Sequence, residues 1–100
     1  MKVADSLKFL DAQWEKLSLQ RSVHIAVAAL RNNADVLFVG NEHAIHLEEL
    51  LTRAGYGVEV NIHPSLETRR QWFREQVAKD QVLGRKFNRF AAFIKRKALA

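Results

Sequence analysis

The chain has no cysteine, which removes a disulfide framework, a thiolate metal site and a thiol nucleophile together. Proline occurs once, at Pro64, and glycine four times, so there is no flexible or proline-rich linker to divide one hundred residues into parts. One domain with a single core is expected. No apolar run approaches the roughly 20 residues that span a bilayer. The opening MKVADSLKFLDAQ carries acids where a signal peptide would be uninterruptedly apolar. A cytoplasmic chain without membrane contact is the expectation. Acids are also scarce where bases crowd. Residues 1–64 hold 6 Lys and Arg against 8 Asp and Glu, whereas residues 65–100 hold 10 against 3. The basic character is therefore a property of the last third.

What is present reads first as an alternation around Asp35 to Ile62. DVLFVG suits a strand covered on both faces, since Val36 to Val39 are all apolar with β-branched and aromatic members. Asn41 can cap a helix whose Ala44, Leu47, Leu50, Leu51 and Ala54 keep one buried stripe, and Gly55 can close it in the left-handed region. Val58, Val60 and Ile62 then alternate with Glu59 and Asn61 as an edge strand does. A helix between two strands sets them parallel. Ahead of this unit, Leu7, Leu10, Trp14 and Leu17 predict an amphipathic helix from about 6 to 17, and Leu19 to Leu30, apolar nearly all round, predict a central buried helix. After it, Ser65 can cap a helical segment that reaches residue 98, open between one long helix and two abutting ones, with a break at Gly84 the favoured reading.

The fold class expected is thus a helix-rich α/β domain, ordered α-α-β-α-β-α(-α), with a two-stranded parallel sheet flanked by helices. It comprises a helical hairpin over 1–34, strand-helix-strand over 35–62 and a basic helical segment over 65–100. A two-stranded sheet is marginal alone. The Val58 to Ile62 edge is therefore the expected place for a homodimer contact.

Chemistry is harder to find. His43 and His46 lie one turn apart with Glu42 and Glu49 nearby, the nearest approach to a metal site, but no third ligand is evident and a surface role in ion pairs is expected. His24 is expected to be packed and bonded to a carbonyl. Gly40 and Asn41 stand where a doubly wound fold binds an anion, yet the loop has one glycine, no lysine and the repelling Glu42. The nuclease pattern PD-(D/E)xK fails after Glu59, where Val60 and Asn61 stand in place of a lysine, and no DxD supports a toprim-like site. A helix-turn-helix at Gly84 is disfavoured by Asp80 and Arg85 where small apolar residues belong. No catalytic residue, metal or cofactor is expected.

The positive signal is cationic. On a helix, Lys86, Arg89, Phe93 and Lys97 share a face away from Phe87, Ala91 and Ile94, with Arg85 and Arg96 beside them and Lys95 near. Cations so placed can follow phosphates, and an exposed Phe93 can stack on an unpaired base. The expected function is a non-catalytic module docking on nucleic acid or a nucleoprotein complex, with Arg69, Arg70 and Arg74 extending the surface. The alternative is a small inhibitor or adaptor that occludes a larger protein machine, as phage proteins that block host defence complexes do. That analogy is one of size alone. Tyr56 and Trp72 would then be its anchors, with the same three arginines.

Overall fold

The computed structural model describes residues 18–99, and among them every regular element is helical. Helix α1 covers 18–31, α2 Asn41–Arg53, α3 Glu67–Lys79 and α4 Gln81–Leu99, with a 3₁₀ turn at Pro64–Leu66 leading into α3. The helix expected over 6–17 lies outside the described residues.

The expected two-stranded sheet does not form. Residues 34–40 and 56–63 carry no strand pairing, and Val36 and Phe38 stand 69% and 94% exposed. Their β-branched and aromatic composition favours extended backbone locally, but a two-stranded ladder has little stability to offer against helix packing. With no sheet there is no strand edge at Val58 to Ile62, so the dimer contact expected there loses its structural basis. The α/β class gives way to a small helical bundle.

The helix ends follow from local chemistry. Asn33 takes a positive φ of 53°, and the amides of Asn33 and Ala34 return to the carbonyls of Leu30 and Ala29, closing α1. Gly55, at φ 95°, closes α2 by the same pattern, with Gly55 and Tyr56 amides bonded to Thr52 and Leu51. Gly40, and not Asn41, occupies the N-cap of α2. His63 caps the 3₁₀ turn, its Nδ1 accepting from the Ser65 amide 3.2 Å away, so the capping role expected of Ser65 falls to the histidine.

The last third forms two helices, and they part at Asp80 rather than at Gly84. Asp80 is extended, and its Oδ1 accepts from the amides of Val82 at 3.0 Å and Leu83 at 3.1 Å, a side-chain cap on α4. Gly84 serves another purpose. A Cβ there would lie 3.2 Å from the Val77 carbonyl, so the missing side chain lets α3 and α4 approach closely.

The centre of the bundle is α2, not α1. Four successive residues, Ile45 to Glu48, are buried on α2, whereas α1 buries only Leu19, Ser22, Val23 and Ala26 and leaves its other face wet. Leu47 and Leu50 meet Leu19, Val23 and Ala26 of α1, Val77 of α3, and Phe87 and Ile94 of α4 in one core. Phe73 joins them with its ring edge to Phe87 at 5.5 Å. Ala91 and Ile94 are buried as the stripe on α4 predicts.

Candidate functional site

The cations of the last third divide into two populations. On α3, Arg70 donates from Nε to Glu48 Oε1 at 2.8 Å and from a terminal nitrogen to the second Glu48 oxygen, and it also reaches Glu67. Arg69 pairs with Glu42, and Arg74 lies 3.7 Å from Glu48 and 3.8 Å from Glu49. On α2, Arg53 bonds Glu49 at 3.2 Å and the Asn88 amide oxygen at 2.6 Å. The three α3 arginines expected to meet a partner therefore hold α3 onto α2. The Arg70 fork keeps the Glu48 carboxyl below the usual carboxylate range against the opposing effect of burial, and raises the arginine in turn.

On α4 the situation is reversed. The helix carries Arg85, Lys86, Arg89, Lys95, Arg96 and Lys97 and no acid. Among the described residues none of the six makes an ion pair. Three of them, Lys86, Arg89 and Arg96, line an open groove of about 660 Å³ between α1 and α4. Phe90 and Phe93 lie along the same groove, and Gln20 and His24 line it from α1. Phe93 is half-buried and packs against the core, so the fully exposed ring expected from the sequence is corrected to one at the core's margin. The Arg96 guanidinium and the Lys97 ammonium each lie 5.7 Å from its ring centre. Arg85 and Lys95 are exposed but lie outside this groove.

The groove has members that sequence reasoning missed. Phe90 is half-buried at the border of the α4 stripe, where its ring also lines the groove. His24 is exposed and not packed, because α1 buries one face only. Gln20 gave no signal, since nothing in the order of residues says which helix will face α4.

The remaining candidates separate cleanly. Trp72 is 58% exposed on α3, while Tyr56 is half-buried just after α2. His43 and His46 do not face solvent glutamates as expected. Their Nδ1 atoms lie 2.8 and 3.2 Å from the Ser22 hydroxyl of α1. Ser22 Oγ is itself 3.1 Å from the Ser18 carbonyl, so one hydroxyl stands within hydrogen-bond reach of three polar groups. Burial lowers the His46 pKa from its ordinary value; Glu42 opposes this, while His43 and Arg69 add to it. Ser22 is 0% exposed, which keeps its hydroxyl from any substrate, and among the described residues no three His, Asp or Glu side chains converge as a metal site would need.

Comparison with protein-family models, with characterised proteins and with solved structures finds no match. No helix among the described residues is long and apolar enough to cross a membrane.

Proposed function

We propose that the chain is a non-catalytic module that holds a nucleic-acid backbone against the cationic face of α4. The observation that supports this is the contrast between neighbouring helices. Every arginine of α2 and α3 is matched to a carboxylate, whereas α4 presents six cations that meet none among the described residues. Like charges along one helix repel, and a polyanion relieves that repulsion while releasing its condensed counterions. Arg89 and Arg96 supply forked donors that match phosphate oxygens.

The test is a titration of labelled nucleic acid at several salt concentrations. Affinity falls linearly on a log-log plot, and each of Lys86→Ala, Arg89→Ala and Arg96→Ala lowers the slope by about one. Binding that survives the triple substitution with an unchanged slope overturns the proposal.

A second function, a protein-binding inhibitor or adaptor, is favoured by one separate observation. Val36, Leu37 and Phe38 stand exposed in succession on the loop between α1 and α2. An apolar run in water marks a contact surface. Phe38→Ser would abolish recovery of a protein partner without changing nucleic-acid affinity; retention of that partner by Phe38→Ser excludes the loop as its contact.

A further inference from the structure

Resting on the proposed nucleic-acid contact at α4, we infer that the groove between α1 and α4 takes an unpaired strand, with a base laid against Phe93 and its phosphates held by Lys86, Arg89 and Arg96. A duplex keeps its bases stacked inside and offers phosphates outside, so a convex row of cations would satisfy it. The groove contains more than that. Two half-buried rings, Phe90 and Phe93, lie beside the cations in one concave surface, and every base has a face that stacks on such rings.

The two cation contacts at Phe93 show that its ring lies within reach of charged groups exposed to solvent. Arg96 and Lys97 are both exposed, and each sits 5.7 Å from the ring centre. A base stacked on the ring would bring its own phosphate beside those cations. From Lys86 to Arg96 the helix rises about 15 Å, the length of a few nucleotides. The opposite wall adds groups a phosphate does not require. Gln20 offers an amide that both donates and accepts, and His24 an exposed imidazole, which together suit the edge of a base more than a uniformly anionic partner. An acidic polypeptide would meet the cations but leave the rings and the amide wall without a matching surface.

The experiment compares short oligo(dT) with a duplex of equal length on the full chain. The strand carries a single 2-aminopurine, whose fluorescence is quenched on stacking. The single strand binds at least tenfold more tightly than the duplex, and its probe is quenched. Phe93→Leu weakens the single strand roughly 5- to 150-fold with the salt slope unchanged, and leaves the duplex as it was. Equal affinity for both forms, with no quenching, overturns the unpaired-strand inference while the wider nucleic-acid proposal stands. Loss of both on removing the cations supports the wider proposal; absence of binding to either form defeats both. Tight binding of poly-glutamate with no binding of nucleic acid transfers the groove to acidic proteins and overturns both as well. Should Phe93→Leu lower the thermal midpoint, the quenching measured on the unsubstituted chain decides alone.

Discussion

The Arg70 guanidinium of α3 closes as a fork on the Glu48 carboxylate of α2, which is 5% exposed. Two charges are withdrawn from water there, and neither is left unmatched. Removing Arg70 leaves the buried Glu48 only Arg74 at 3.7 Å, and breaking a buried pair from one side typically costs about 3 to 5 kcal/mol. Arg70→Ala is expected to lower stability by about 3 kcal/mol in urea unfolding and Glu48→Ala by less, because the part-exposed Arg70 keeps Glu67, whereas Arg70→Met with Glu48→Leu costs much less than Arg70→Ala. A small effect of Arg70→Ala would show that water reaches the pair.

The same pairing separates α3 from α4 in function. Arg69→Ala and Arg74→Ala remove cations already engaged with Glu42, Glu48 and Glu49, so nucleic-acid affinity changes little, while Arg89→Ala and Arg96→Ala each lower it and reduce the salt slope. Titrations of the four variants at one salt concentration suffice. Equal losses at all four would show that charge alone, irrespective of position, governs the affinity.

Acid is expected to weaken the fold in two windows. His46 has a folded pKa below its ordinary value of 6.5, so the unfolded chain binds the extra proton first. Its contribution is complete above about pH 6.5 and is lost as pH falls toward the folded value. Glu48 is also lowered from 4.5, and its contribution goes in a second, more acidic step. Urea midpoints measured between pH 7 and 5 should fall, and His46→Phe should flatten that upper window while leaving the lower one. A stability that does not change over this range would contradict the burial of His46.

Ser22→Ala removes the hydroxyl that both His43 and His46 bond. With one of the two imidazoles buried, the loss is about 1 to 3 kcal/mol, read from thermal or urea unfolding. Ser22→Thr keeps the hydroxyl and should recover part of it.

At the α3 to α4 contact, Gly84→Ala gains about 1 kcal/mol of helix propensity and loses a comparable amount to the 3.2 Å approach of the Val77 carbonyl. The two nearly cancel. Gly84→Leu has no such compensation and costs about 1 to 3 kcal/mol as the helices are pushed apart. A Leu variant as stable as the parent would show that α3 yields at that point.

The helices were legible because their signals are local. The stripe Phe87, Ala91, Ile94, the left-handed Gly55 and the helical character of 41–53 are written in residues three and four apart, and they appear as read. Val36 to Val39 misled because β preference describes the backbone of a segment, while a sheet needs a second segment able to reward the pairing. The cations were legible as a group but not in their partition. Arg70 and Arg89 are alike in sequence, and only the approach of Glu48 from another helix separates a clasp from a contact surface. Ser22 with His43 and His46 was invisible for the same reason, since it joins positions more than twenty residues apart.

Asp80 is the single residue between two helices, and that brevity has a cost in evolvability. One amino acid inserted in the first turn of α4, just after the extended Asp80, would turn everything beyond it by about 100° around the helix axis. Phe87, Ala91 and Ile94 would turn toward solvent and the six cations would swing away from α1, although neither helix need lose a hydrogen bond. Drift in this chain should therefore tolerate exchanges along α4 far better than a change of length at its first turn.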